Sequence, residues 1–344
     1  MLTLRYAFIS AYLKAQEARL VTSEHIDRLA TAPNIRDALA AVRETDVGSY
    51  LEEVPVNSFD DLDECLWRYL AHRFAYIQSF KLLPQDVHKT LRAYIVKYDI
   101  LNIKAALRGL LASKKAKMIP LGVIHSNGLL DGLSAAENVD DIIRILSKCG
   151  LDNYSPALEK HKMDKGSKPK VLVEATLDGQ YYTSMLNVAR KIQDGAVLTR
   201  ALGLMIDLAN LQIVLRAIIG GIGLEAAGCT IAGGYRITDK TANELLSLRI
   251  ADIPDRLEDS PYHDIASEVS ASYDRTKSIT AVDEIVDKHK FRMLKEVLSP
   301  RVLSPLVMAW YLVLKEVEIR NLRLVLKAIV DGMPVQDIKN YLVL

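Results

Sequence analysis

The densest group of carboxylates in the sequence is the string DDLDE, which runs from Asp60 to Glu64. Carboxylates spaced like this on a helix can hold Mg²⁺ against a diphosphate, so the string raises the hypothesis of a helical metal-dependent enzyme. Such an enzyme needs a second acidic motif, and the candidate DDIIR at Asp140 has Arg144 where an acid is required. We therefore favour a solvated acidic first turn of a helix, where the helix dipole stabilises negative charge.

Other patterns that carry chemistry are incomplete. The string GGIG, Gly220 to Gly223, resembles part of a dinucleotide loop, but it follows a helical pattern instead of a strand, so we interpret it as a helix stop. The seven histidines have no paired spacing, and the three cysteines form no CxxC pair. The sequence has no Walker lysine loop, nucleophile elbow or kinase signature. It predicts no catalytic, cofactor or metal site and no small-molecule substrate.

The composition is that of an ordinary globular protein. Among 344 residues, 44 are basic and 43 acidic, which leaves a net charge of +1 and no basic surface for nucleic acid. The most apolar run, Val302 to Leu314, contains Pro305 and is shorter than the roughly twenty residues of a membrane span, so we expect no transmembrane segment. The lack of a signal peptide and of paired cysteines predicts a cytoplasmic location.

Most of the sequence has the period of α-helices. Apolar residues recur at spacings of three and four, and leucine, alanine, lysine and glutamate are frequent. The best-defined helix has Ser304 as a candidate N-cap, Pro305 at its first position, and Gly332 followed by Pro334 where it should end. The predicted fold class is all-α.

One helical pattern occurs three times, in YDILNIKAALRGLL, IDLANLQIVLRAIIGG and KEVEIRNLRLVLKAIVDG. An acid is followed three positions later by asparagine and nine positions later by a base, and the acids are 108 and 111 residues apart. The positions are Asp99, Asn102 and Arg108, then Asp207, Asn210 and Arg216, then Glu318, Asn321 and Lys327. The acid and the asparagine share a helix face with apolar residues, so we interpret these nine residues as packing positions that fix how helices dock.

Two further elements recur in the same order. Upstream of each motif lies a short helical pattern that ends in a tyrosine-containing turn. Between this pattern and the motif lies a third element, which reads DECLW in the first copy, EATLD in the second and DEIVD in the third. Three ordered elements at a period of about 110 residues indicate a triplicated helical unit. We predict three similar helical domains, 1–117, 118–228 and 229–344, in a pseudo-threefold arrangement. Non-helical seams are expected at 114–119 and 228–234, and a flexible charged loop at 160–170.

The triplication, the length and the C-terminal string KEVEIRNLRLVLKAIVDGMPVQDIKNYLV resemble the C/d family of A-type and V-type rotary ATPase subunits, for which KExEIRNLR is characteristic. The resemblance covers nearly the whole chain. The departures are Trp67 in the first DECLW element, the shorter third copy, and Gln212 where the other motifs have Lys104 and Arg323.

This resemblance implies a non-catalytic central-stalk protein shaped as a funnel of three helical domains. It would lie on the cytoplasmic face of the membrane and act as a socket between the rotating D and F shaft subunits and the proteolipid ring. ATP synthesis or hydrolysis and ion transport would then occur on other subunits. The alternatives are a stand-alone all-helical adaptor and, more remotely, the metal-dependent enzyme built around Asp60 to Glu64.

Overall fold

The computed structural model describes residues 5–52, 58–163 and 170–343. Over these ranges the chain consists of helices and connecting segments without a strand, which confirms the predicted all-α class. The helices are α1 (Ala7–Glu17), α2 (Ser23–Ala30), α3 (Ile35–Ala40), α4 (Asp46–Glu52), α5 (Phe59–Gln78), α6 (Gln85–Ala112), α7 (Val123–Ser126), α8 (Leu130–Ser134), α9 (Val139–Lys148), α10 (Ser155–Met163), α11 (Lys170–Ala189), α12 (Gly195–Ile219), α13 (Asp239–Leu246), α14 (Ile253–Arg256), α15 (His263–Thr276), α16 (Thr280–Leu298), α17 (Leu306–Val330) and α18 (Val335–Ile338).

Helix lengths recur along the chain. Short helices precede a pair of long helices three times: α5 and α6 have 20 and 28 residues, α11 and α12 have 20 and 25, and α16 and α17 have 19 and 25. Each motif acid lies on the second helix of a pair. The predicted seams at 114–119 and 228–234 are non-helical.

The prediction of a flexible loop at 160–170 was wrong at both ends of this range. Helix α10 continues to Met163, and α11 already begins at Lys170. The basic residues Lys160 and Lys162 lie in the last turn of α10, where positive side chains are favoured by the helix dipole. The remainder of the predicted loop, residues 164–169, lies outside the described residues.

The chain divides into two compact units. Unit 1 comprises residues 1–101, 117–130 and 298–344, and unit 2 comprises residues 102–116 and 131–297. Each unit combines segments that are distant in sequence, and α6 contributes to both. The three-domain division at 1–117, 118–228 and 229–344 stays a prediction.

Helix α12 is the central helix of the hydrophobic core of unit 2. Leu211 and Leu215 of α12 pack in one cluster with buried residues of α13, α15 and α16. Among the described residues, α12 is long and apolar enough to span a membrane, but 56% of its apolar stretch is buried inside the protein. It also carries the buried polar residues Asp207 and Asn210. We therefore describe α12 as a core helix, which is longer than the apolar run at 302–314.

Helix α17 has the corresponding place in unit 1. It packs against α1, α2, α3 and α5. Residues 306–312 are buried without interruption, which explains why this part of the sequence is apolar on every side of the helix. Further along, Ile319, Leu322 and Leu326 continue the buried face.

Glycines end both α12 and α17. Gly221 and Gly332 adopt left-handed φ values of 73° and 68°, which a residue without a side chain tolerates at no steric cost. The N–H group that follows each glycine donates a hydrogen bond back to its helix. That of Ile222 donates to the carbonyl of Ala217 at 3.0 Å. The interpretation of GGIG as a helix stop is confirmed. At the start of α17, the predicted N-cap is displaced by one residue, because Pro305 occupies that position.

Candidate functional site

The three motif acids are buried. Each accepts hydrogen bonds from the backbone of a segment that is distant from it in sequence. Asp99 on α6 accepts the N–H groups of Val123 at 2.8 Å and Ile124 at 2.9 Å, which open helix α7. A side chain on Gly122 would lie only 2.3 Å from the Asp99 carboxylate, so glycine is required for this close approach. The carboxylate thus fixes one end of α7 to the middle of α6.

Asp207 on α12 makes the same type of contact in unit 2. It accepts the N–H groups of Arg236 at 3.0 Å and Ile237 at 2.9 Å, and the hydroxyl of Tyr262 donates to it at 2.7 Å. Burial of the phenol raises the pKa of Tyr262, which keeps this hydroxyl a donor. A Cβ on Gly234 would lie 2.2 Å from the carboxylate. The first and second motifs therefore share an aspartate and a closely placed glycine.

The third motif has glutamate in place of aspartate. Glu318 on α17 accepts the N–H of Val21 at 2.9 Å in unit 1. The segment that it binds reads Leu20, Val21 and Thr22, without a glycine. Glutamate, which is longer than aspartate by one methylene, is found in the copy whose partner segment has no glycine. The acid and the glycine thus vary together among the three copies.

The motif asparagines bind backbone groups from both sides. Asn210 accepts the N–H of Ile231 at 2.7 Å and donates to the carbonyl groups of Ile231 at 2.8 Å and Ile237 at 2.9 Å. Asn321 accepts the N–H of Val343 at 3.1 Å and donates to its carbonyl at 2.6 Å. Asn102 is buried at the matching position. An amide side chain can serve as donor and acceptor at once, which explains the choice of asparagine. We call each acid and asparagine, with their backbone partners, a polar anchor.

A further position, five residues after each acid, was not predicted to matter. Lys104 donates to Asp178 at 2.5 Å, and Gln212 and Arg323 donate to Asp283 and Asp63. These acids belong to the EATLD, DEIVD and DECLW elements. Each motif therefore contacts the element of the next copy, and the third motif contacts the element of the first.

Gln212 and Trp67, the departures from the repeat, both take part in these contacts. Gln212 lacks a charge, yet its amide still donates to Asp283. Trp67 stands where the second copy has Asp178, and the guanidinium of Arg323 lies over the Trp67 ring at 4.9 Å while it also binds Asp63. These pairs could have been found in the sequence by comparing the fifth residue after each motif acid with the acids of DECLW, EATLD and DEIVD.

The motif bases lie on the surface. Arg108 binds Glu174 at 2.7 Å, and Arg216 binds Asp283 at 3.2 Å. Lys327 instead pairs with Asp331 on its own helix at 2.7 Å. Exposed ion pairs of this kind contribute about 0–1 kcal/mol each. We therefore expect the buried acid and asparagine of each motif to stabilise helix docking more than its base.

Unit 1 contains a buried charged cluster that the sequence patterns did not reveal. Lys315 on α17 has no exposed surface, and its ammonium group donates to Glu318 at 2.8 Å and to the hydroxyl of Tyr69 at 2.6 Å. Tyr69 in turn donates to Asp46 at 2.8 Å, and Asp46 lies 3.7 Å from Lys315. Burial raises the pKa of Tyr69, so its hydroxyl stays protonated. Only an alignment of the three motifs makes Lys315 conspicuous in the sequence, because the first and second motifs have Val96 and Leu204 at the same position.

The acidic string at Asp60 to Glu64 forms the first turns of α5, as predicted, but the prediction that it is solvated was wrong for Asp63, which faces the interior. Ser58 caps the helix, and its hydroxyl accepts the N–H of Asp61 at 3.2 Å. Asp60 binds Lys117 at 2.6 Å, and Asp63 is buried against Arg323. In the described part of the chain, no three His, Cys, Asp or Glu side chains are grouped to hold a metal ion. The arrangement indicates helix capping and ion pairing.

The polar anchor at Asp99 predicts a pH-dependent stability. Burial raises the pKa of Asp99 from 3.8 to about 6, although the amides of Val123 and Ile124 favour its charged form. Because the folded protein holds the proton on Asp99 more tightly than the unfolded chain does, this proton stabilises the fold at pH values below the unfolded pKa of 3.8. The contribution is lost as pH rises through the folded pKa of about 6. The stability of the native protein minus that of Asp99→Asn should therefore fall by about 3 kcal/mol between roughly pH 3.5 and pH 7.5.

Urea unfolding of both proteins across this pH range measures the difference, and contributions of all other titrating groups cancel in the subtraction. Asp131→Asn, which removes an exposed carboxylate of α8, is the control for the loss of one acidic side chain. A difference between native protein and Asp99→Asn that is constant, or that grows with pH, would contradict the assigned direction.

Comparison with known proteins agrees with the sequence resemblance. The family described as ATP synthase (C/AC39) subunit matches residues 9–341 of this chain. The C subunit of the A-type ATP synthase of Methanocaldococcus jannaschii is 25% identical over 352 residues, covering 98% of this chain and 86% of that protein. The C subunit of the A-type ATP synthase of Thermococcus kodakarensis is 25% identical over 342 residues, covering 98% and 90%. Since the family match extends over almost the whole length, the chain belongs to the ATP synthase (C/AC39) subunit family.

Proposed function

We propose that the protein is a non-catalytic central-stalk component of an A/V-type rotary ATPase or ATP synthase. It acts as a socket that couples the rotating D and F shaft subunits to the proteolipid ring, on the cytoplasmic face of the membrane. The observation that carries the proposal is the family match over residues 9–341, with relatives named as the C subunits of A-type ATP synthases.

The order of the polar contacts supports a pseudo-threefold funnel. Each motif binds the element of the next copy, through Lys104 with Asp178 and Gln212 with Asp283, and Arg323 of the third motif binds Asp63 of the first element. A closed series of contacts, in which the third copy contacts the first, is expected for three similar helical domains arranged around an axis. A socket of this design would hold its shape around a shaft.

Mechanical coupling requires that the protein resist distortion under load, and the buried polar anchors meet this requirement. A carboxylate with two or three donors fixes both the position and the direction of the backbone that it binds, whereas apolar side chains can slide past one another. In this proposal, the polar residues of the motifs serve stiffness, and the chain takes no part in ATP hydrolysis itself.

Affinity capture tests the proposal. The tagged chain is recovered from gently solubilised membranes, co-purifying subunits are identified by mass spectrometry, and ion transport driven by ATP is measured in vesicles with and without the chain. We expect recovery of the D and F subunits and the ring, and loss of coupled transport without the chain that returns when purified chain is added. Recovery of the chain alone, with coupling intact, would instead favour the stand-alone adaptor.

A further inference from the structure

Unit 1 exposes a group of aromatic and aliphatic side chains around α1. Phe8 on α1 is 52% exposed and Leu82, in the turn between α5 and α6, is 79% exposed. The Phe80 ring in this turn lies 5.5 Å from Phe8, 4.9 Å from Tyr12 and 5.1 Å from Tyr76. Tyr76, at the end of α5, is also exposed. The rings form one continuous cluster at the surface.

A second turn also packs against α1. The hydroxyl of Ser10 donates to the carbonyl of Val302 at 2.5 Å, which holds the turn between α16 and α17 against α1. Val302 and Leu303 in this turn are both exposed. We call the exposed residues of α1 and of these two turns, residues 79–84 and 299–304, the α1 surface.

The charges of the α1 surface are basic. Lys81 is the charged residue of the first turn and Arg301 that of the second, and both are exposed. The neighbouring carboxylate of Asp86 already accepts hydrogen bonds from Arg5 at 2.6 Å and Tyr6 at 3.0 Å. The α1 surface thus combines exposed apolar tips with positive charge.

We propose that the α1 surface binds directly to an anionic lipid surface. Aromatic rings and aliphatic side chains partition into the headgroup region of a bilayer, while lysine and arginine side chains reach phosphate groups. A partner helix would require a continuous apolar groove. Here, Leu82, Val302 and Leu303 lie instead in two separate turns, and each turn can enter the headgroup region by itself. The contact concerns lipid and is independent of the shaft and ring contacts of the proposed function.

Co-sedimentation of the purified full-length chain with vesicles tests the proposal. We expect binding to phosphatidylcholine vesicles that contain phosphatidylglycerol, weaker binding without it, and weaker binding as salt is raised. Lys81→Gln should reduce the binding constant about fivefold, since one basic residue near an anionic surface contributes about that factor. Leu82→Asp should reduce it about tenfold, because it removes an apolar contact and adds a negative charge.

Two matched variants in unit 2 are the controls. Leu224→Asp changes another exposed leucine, and Lys240→Gln another exposed lysine. Both should bind vesicles as the native chain does, and circular dichroism verifies that all four variants are folded. The proposal is overturned by a native chain that does not sediment with anionic vesicles, or by controls that lose binding as strongly as Leu82→Asp. Ring capture that is lost with Leu82→Asp, without any vesicle binding, would assign the α1 surface to protein and overturn the lipid proposal.

Discussion

Replacement of Asp207 by alanine is expected to lower the free energy of unfolding by about 3–5 kcal/mol. Asp207 is fully buried and accepts hydrogen bonds from Arg236, Ile237 and Tyr262. Alanine would leave two backbone donors and one phenol without an acceptor in a site that water does not enter. Each unsatisfied buried group costs about 1–3 kcal/mol. The segment before α13 should therefore separate from α12.

Urea unfolding followed by circular dichroism measures this loss, and hydrogen exchange locates it. The peptide containing Arg236 and Ile237 should lose protection in Asp207→Ala well before other parts of unit 2. Asp259→Ala changes an exposed aspartate of the same unit and should alter stability by less than about 0.5 kcal/mol. Equal unfolding curves for Asp207→Ala and the native chain would contradict the anchoring role.

Lys315→Met is expected to destabilise unit 1 by about 3–5 kcal/mol. Methionine matches the length of lysine but removes the cation between Glu318 and Asp46, two carboxylates that have little contact with water. Breaking a buried ion pair costs more than the pair contributes, because Glu318 stays buried without its cation, whereas Asp46 keeps Arg73 at 3.1 Å. The hydroxyl of Tyr69 also loses a donor.

A double variant separates the charge effect from packing. Lys315→Met combined with Glu318→Gln removes both charges and should recover a large part of the stability lost in the single variant. Lys295→Met, at an exposed lysine of α16, is the control and should be close to native. If the double variant is less stable than Lys315→Met alone, the loss arises from packing, and the charge argument is wrong.

The sequence was sufficient for the fold class, whereas the role of the motif residues in helix docking stays a prediction. Helical periodicity and the glycine signals were local, so α17 and its end at Gly332 could be predicted to within about one residue. Asp99 and Asn102 could be recognised because they repeat at one helix face with Asp207 and Asn210. Their backbone partners could not be predicted, because the positions of the short helix α7 and of the irregular segment 231–237 depend on tertiary packing.

Lys315 and α12 show what single-sequence patterns miss. A lysine on a helix is usually solvated, and only the tertiary neighbours Asp46 and Tyr69 make its burial possible. Helix α12 was recognised by its motif, but its span-like length and hydropathy were not, because Arg200, Asp207 and Arg216 interrupt its apolar residues. Averaged hydropathy over the whole helix would have revealed both.

The distance in sequence between the partners of the third polar anchor determines when unit 1 can fold during translation. Asp99 binds residues only 24 and 25 positions later, so this contact can form soon after α7 leaves the ribosome. Glu318 binds Val21 across 297 positions, and Arg323 binds Asp63 across 260. The contacts of Lys315 with Asp46 and Tyr69 therefore cannot form until nearly the entire chain has been synthesised. Because contacts of such large sequence separation form late in folding, we expect unit 1 to complete its fold only after synthesis.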